Sequence, residues 1–169
     1  VGDKMDLIKQ NIVGVLGLIA LCVAIPLPPG LLQNVINVLG ISALIIYAWQ
    51  GKNTFFFYLE SVVLLGTVLQ IAGVSSEITW TALILSFVVI VLRILQSPDY
   101  RNFMTAIGFT GLFGLVFGYA TLNPIGYAIG GICCACYSFI LFKQGIKSGL
   151  LFALLNIIYG GLAIYVILK

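Results

Sequence analysis

From Asn11 onward the chain alternates long apolar runs with short breaks, and the turn-forming residues collect in the breaks. The stretches "PLPPG", "QGKNT", "GVSSE", "QSPDYR", "LNP" and "KQGIKS" divide it into seven apolar segments: 11–28, 31–49, 54–75, 78–96, 102–121, 124–142 and 147–168. Gly, Pro, Asn and Ser in such clusters end helices and turn the chain. Each segment is close to the ~20 residues that cross a hydrocarbon layer as a helix. The predicted fold is therefore all-α, a polytopic membrane protein of seven transmembrane helices in one membrane domain covering residues 1–169. The breaks leave no room for a soluble domain.

Composition strengthens this picture. Of 169 residues, 62% are hydrophobic and 8% charged, far from the half-apolar, quarter-charged balance of soluble domains, so the lipid bilayer is the solvent for most of the surface. His is absent, and the acids are only Asp3, Asp6, Glu60, Glu77 and Asp99. That set is too poor for hydrolytic or metal chemistry, so no enzyme activity, catalytic residue, metal or cofactor is predicted. The eight basic residues are scattered singly, which argues against nucleic acid as a partner. Cys22, Cys133, Cys134 and Cys136 lie inside apolar runs; "CCAC" holds a C-x-x-C pair one helical turn apart, and we read it as packing rather than a redox or metal site.

The basic residues also orient the spans, because Lys and Arg accumulate in cytoplasmic loops. With the N-terminus inside, Lys4, Lys9, Lys52, Arg93, Arg101, Lys143 and Lys147 fall on or near the cytoplasmic side and only Lys169 outside. The expected location is a bacterial inner membrane, N-terminus cytoplasmic and C-terminus outside. The first segment lacks a small-x-small cleavage site, so it reads as a retained span rather than a signal peptide.

Sliding the chain along itself by 94 residues brings Gly14 onto Gly108, Gly17 onto Gly111, Gln50 and Gly51 onto Gln144 and Gly145, and Gly66 onto Gly160. "IVGVLGLIAL" then lies over "AIGFTGLFGL", and "QGKNT" over "QGIKS". These coincidences are glycines and a loop, positions chosen by backbone geometry rather than by hydrophobicity. They predict a first triple-helix unit over 11–75, a linker helix over 78–96 and a second triple-helix unit over 102–168. A single linking span makes the two units point the same way, a transporter plan with the substrate site near midplane at the repeat interface. A simple helical bundle with no cavity is the alternative.

This three-plus-one-plus-three order resembles that of the SWEET sugar transporters and of the bacterial nicotinamide riboside transporters of the PnuC family. The resemblance rests on the parallel triple-helix repeat, the Asn in "LLFALLNIIYGG" and the basic loop "FKQGIKS" before it. It implies transport of a vitamin-, nucleoside- or sugar-like solute, and it permits a homo-oligomer.

Glu60 is the one acid deep inside a span, about 9 Å from the inner end of its segment at ~1.5 Å per residue. An ionised carboxylate facing lipid there costs several kcal/mol, so it must be protonated, paired or turned toward a polar interior. Three readings stay open: an ion pair with Arg93, a substrate-contacting or proton-coupling group, and a neutral acid at a packing interface. Arg93 either pairs with Glu60 or snorkels to the headgroups. Asn156 lies near midplane on the last segment. The ungapped repeat sets Val62 against Asn156 and Leu154 against Glu60; a gap of two residues in the loop superposes Glu60 on Asn156.

Asn37, Ser42, Tyr137 and Ser138 sit at central depth, and Tyr47, Tyr58 and Trp49 offer aromatic faces toward the inner half. Gln33, Asn34 and Gln70 read as residues of the outer interface. Glycine pairs such as Gly114 with Gly118 and Gly126 with Gly130 read as close helix packing, and Pro124 with Gly126 as a candidate hinge. The predicted function is a transporter or facilitator of a small, uncharged polar solute by alternating access, with Glu60, Asn156, Asn37, Tyr137 and Ser42 as substrate-binding residues. The alternative is a non-transporting membrane scaffold or accessory subunit whose polar residues only tie helices together.

Overall fold

The computed structural model describes residues 2–24, 27, 28 and 30–169, with side chains from residue 11 onward. It holds seven helices: α1 (Gly2–Ala24), α2 (Leu31–Gln50), α3 (Thr54–Ile71), α4 (Ser76–Leu95), α5 (Phe103–Thr121), α6 (Pro124–Lys143) and α7 (Ser148–Leu168). A 3-10 turn, Pro98–Tyr100, lies between α4 and α5, and no strand occurs among the described residues. Helices α2 to α7 are long and apolar enough to cross a membrane; the apolar part of α1, Asn11–Ala24, is shorter. Large apolar side chains are exposed on every helix, from Leu16 on α1 to Ile157 on α7. The chain is thus an integral membrane protein of multi-pass type, its outer surface built for lipid.

The helix ends follow local chemistry. Asn53, Asn102 and Asn123 each cap the helix that follows, accepting from the amides of Phe56, Thr105 and Ile125; this satisfies donors that a helix start leaves without partners. Helix α3 stops at Ile71, earlier than hydropathy suggests, because Gly73 takes a left-handed conformation with φ 65°. Helix α1 begins earlier than the apolar pattern does, since its first turns are helical despite their charges.

Six helices close into a ring. Contacts run from α1 to α2, α2 to α3, α3 to α5, α5 to α6, α6 to α7, and back from α7 to α1, while α4 packs outside the ring on α3 and α5. The two turns that carry Lys52 and Lys147 touch: Asn53 Nδ2 donates to Ser148 Oγ at 3.1 Å. At the opposite end, Gln70 on α3 donates to the Tyr119 carbonyl of α5, and Gln33 on α2 donates to the Ala24 carbonyl that ends α1. We call these the Lys52 end and the Tyr119 end.

Glycines set the closest approaches. Between α5 and α6 a Cβ on Gly114 would lie 2.7 Å from the Gly130 amide, and one on Gly118 within 2.7 Å of the Tyr127 ring. Between α6 and α7 a Cβ on Gly131 would meet the Gly160 backbone at 2.6 Å. In lipid no hydrophobic drive separates helix from solvent, so such backbone contact supplies van der Waals attraction that larger residues would block. Elsewhere the missing side chain makes room for a ring: Tyr47 lies over Gly14, and Phe55 over Gly108. Gly126, a hinge candidate from the sequence, is instead wedged against the Gly118 amide. Gly66 faces Tyr119 on α5, whereas Gly160 faces Gly131 on α6, so the two sit in different surroundings.

Replacing Gly131 with Val should force α6 and α7 apart and lower stability by about 1–3 kcal/mol. Gly161, which has nothing within 4 Å of a built Cβ, should tolerate Ala. Thermal unfolding of the two variants in the same detergent checks the contrast.

Candidate functional site

A cavity of about 440 Å³ runs inside the ring from mid-height to the Tyr119 end. Its volume falls within the ~300–1,000 Å³ typical of small-molecule sites. Helix α3 contributes Leu59, Glu60, Val63, Thr67 and Gln70; helix α7 contributes Leu155, Asn156, Tyr159, Ala163 and Val166 on the facing wall. Each of these α7 residues stands 96 positions after its α3 counterpart. The rest of the wall comes from Leu162 on α7, which has no counterpart in the α3 lining, from Leu21 on α1, from Gln33, Asn34, Asn37 and Ile41 on α2, from Leu115, Tyr119 and Leu122 of α5 and its end, and from Pro124 and Tyr127 on α6. Leu21 and Leu115, and Gln33 and Tyr127, are 94 positions apart.

Glu60 forms part of the deep end. Its residue is only 3% exposed. It makes no hydrogen bond or ion pair with any described residue, and no fully enclosed side-chain oxygen lacks a partner, so its carboxyl oxygens face the cavity. The ion pair with Arg93 is absent. Arg93 is exposed on the outer helix α4 and donates to Gln96 Oε1 at 3.1 Å, the geometry of a snorkelling side chain.

The amides are arranged by their own helices. Asn156 Nδ2 donates to the Phe152 carbonyl one turn back, at 2.8 Å. Gln33 commits both amide hydrogens, to the carbonyls of Ala24 at 3.2 Å and Leu27 at 3.1 Å. Gln70 commits one to the Tyr119 carbonyl at 2.8 Å. Toward the Tyr119 end, three tyrosines form a corner. The Tyr119 and Tyr127 rings are perpendicular with centroids 5.2 Å apart, Tyr127 and Tyr159 are 5.8 Å apart at 81°, and the hydroxyls of Tyr119 and Tyr159 meet at 3.0 Å.

Toward the Lys52 end the cavity stops at a dry aromatic layer. Phe56 and Phe152 stack at 4.3 Å and 13°; they too are 96 positions apart, one turn before Glu60 and Asn156. Phe55 packs against Tyr137 at 4.4 Å, and Tyr47 against Phe152 at 5.7 Å. All five rings are buried. Below them the Asn53–Ser148 bond ties the two turns together.

Of the residues predicted from sequence, Glu60, Asn156 and Asn37 line the cavity. Tyr137 and Ser42 do not: Tyr137 belongs to the aromatic layer, because Gly108 leaves space for its ring beside Phe55, and Ser42 is half-buried on a part of α2 that the lining does not include. Trp49 is 70% exposed, so it offers no face to a solute inside the ring. Gln33, Asn34 and Gln70, read as interface residues, are wall residues instead. Tyr119, Tyr127 and Tyr159 went unnoticed. The available signal was the repeat itself, which sets Tyr127 opposite Gln33 and, with the two-residue gap, Tyr159 opposite Val63. Cys134 is buried against Gly111, Cys136 is exposed, and no group of His, Cys, Asp or Glu among the described residues could hold a metal ion.

Compared with protein-family models, with curated proteins and with solved structures, the chain matches none.

Among the described residues the lining of the cavity continues to the Tyr119 end and stops at the aromatic layer toward the Lys52 end. In a cysteine-free background, Thr67→Cys and Gln70→Cys should therefore react readily with a small charged methanethiosulfonate, and Phe56→Cys should stay unlabelled. Mass spectrometry of the detergent-solubilised variants reads the difference; equal labelling would contradict the closed layer.

Proposed function

We propose that the chain is a membrane transporter or facilitator of a small polar solute, working by alternating access between two parallel triple-helix units, α1–α3 and α5–α7, joined by α4. The observation that carries this reading is the cavity, in which five α3 residues and five α7 residues of the lining pair at one spacing of 96 positions, as two repeated units would give. The Phe56–Phe152 stack, at the same spacing, brings the two helices together just beyond the cavity. The ring agrees: α3 against α5 in one half corresponds to α7 against α1 in the other. The change from 94 to 96 positions between the first and third helices of each unit is the two-residue gap that superposes Glu60 on Asn156.

In this arrangement the described conformation is open at the Tyr119 end. A solute enters there, reaches Glu60 and Asn156, and is stopped by the aromatic layer. Passage requires the Phe56–Phe152 and Tyr47–Phe152 contacts and the Asn53–Ser148 bond to part while the Tyr119 end closes. Each aromatic pair is worth ~0.5–1.5 kcal/mol, so the closed layer is favoured by a few kcal/mol, the gap expected between interconverting states. With the N-terminus cytoplasmic, the seven basic residues of the Lys52 end face the cytoplasm and the open end faces out. This reading draws on the resemblance to the SWEET and PnuC families in helix order.

A scaffold whose polar residues only bind helices together has no use for a cavity around a carboxyl group without a cation partner, and this favours transport. The test is a double variant, Asn53→Cys with Ser148→Cys, in a background free of other cysteines. A solute is first found by thermal shift, since a ligand of the native state raises apparent stability. Oxidation should then abolish counterflow of that solute in proteoliposomes while its binding persists, and reductant should restore transport. If no solute binds, or cross-linking leaves counterflow unchanged, alternating access at this seam is wrong.

A further inference from the structure

We infer that the solute is a monovalent organic cation, an amine or quaternary ammonium compound, and that its positive charge takes the place of a proton on Glu60. This rests on the transport reading and adds the charge of the solute and what it exchanges for.

Three independent features of the wall point to a cation. The first is charge: Glu60 is the only ionisable carboxyl group on the wall, and no Lys or Arg lines it among the described residues. The titratable groups packed around it are the phenols of Tyr119, Tyr127 and Tyr159 and the thiol of Cys134, none of them a cation. The second is hydrogen-bond polarity. Gln33 has both amide hydrogens committed to backbone carbonyls, and Asn156 and Gln70 have one each, so these three amides turn more acceptor than donor capacity to the cavity, whereas Asn34 and Asn37 keep both kinds. The third is the tyrosine corner. Tyr159 on α7, one turn beyond Asn156, packs edge to face with Tyr127 on α6, which packs likewise with Tyr119 on α5, and all three line the cavity, so aromatic surface is available beside the acid for a cation.

An uncharged solute is compatible with closure inside a bilayer only if Glu60 keeps a proton throughout, whereas a cation compensates the carboxylate itself, and an anion does neither. A cation thereby replaces the uncharged solute expected from the sequence. The same constraint governs the empty site: the seam closes only when Glu60 carries a proton or faces a bound cation. Binding of the cation releases one proton to water, and return of the empty site requires one to be taken up. The exchange is one cation for one proton, without net charge movement.

The test uses the detergent-solubilised full chain and three probes: benzyltrimethylammonium, choline, and 3,3-dimethylbutan-1-ol, the uncharged carbon analogue of choline. The cations should raise the melting temperature with concentration and the alcohol should not. Their apparent affinity should weaken as pH falls, by up to about tenfold per unit where proton and cation compete for one group. Glu60→Gln should lower cation affinity by about tenfold or more and flatten the pH dependence; the wild-type pH series tests the same competition should that variant fail to fold. In proteoliposomes holding a pH-sensitive dye, an acid interior should drive cation uptake with proton efflux. The inference falls if neither cation stabilises, if choline and its analogue act alike, or if acidification changes nothing. Uncharged nucleosides or sugars that bind, and whose counterflow obeys the Asn53–Ser148 cross-link, would overturn the cation while leaving the transport reading intact. A silent cross-link would overturn that reading instead.

Discussion

A carboxyl group at mid-height in a bundle made for lipid, with no described cation beside it, constrains everything around it. Its charged form is tolerated only where water or a positive charge can reach it. The ring of helices meets this by leaving the seam open on one side of Glu60 and sealing it on the other. A wet approach lined with amides and tyrosines leads to the acid, and a layer of buried rings begins one helical turn beyond it. Site and barrier are thus consecutive turns of the same two helices, so the position of the acid and the position of the barrier cannot be changed separately.

The barrier and the approach are both positioned by side chains that are absent. Tyr47 takes the space over Gly14, Phe55 that over Gly108, and Tyr127 that over Gly118. The second group of helices, α5 to α7, goes further and brings backbones together at Gly114, Gly126, Gly131 and Gly149. The first group meets through side chains more often. This unequal tightness suits one group to act as a rigid body against which α1 to α3 rock, in the arrangement proposed, because interfaces between backbones have little freedom to repack.

Helices α3 and α7 face each other with matched positions but unmatched chemistry. At 96 positions apart in sequence, Glu60 corresponds to Asn156, Val63 to Tyr159, Thr67 to Ala163 and Gln70 to Val166, all lining the cavity. The cavity is therefore asymmetric in what it offers, an acid from the α3 wall and an aromatic ring from the α7 wall.

What the sequence by itself determined is the membrane-spanning, all-helical character, the turns that separate the helices, and the identity of Glu60, Asn156 and Asn37 as groups needing a polar surrounding. Those follow from transfer free energies and turn chemistry, which act residue by residue. Only tertiary structure decided which polar groups share a space. Tyr137 and Ser42 lie at the right depth but on the wrong faces, Arg93 stands on the outer helix with no route to Glu60, and three tyrosines that nothing in the sequence singled out converge on one cavity. Depth is a property of position along a helix and is legible in the chain. Facing depends on how each helix is rotated against its neighbours, and that rotation is set by glycine contacts between residues far apart in sequence.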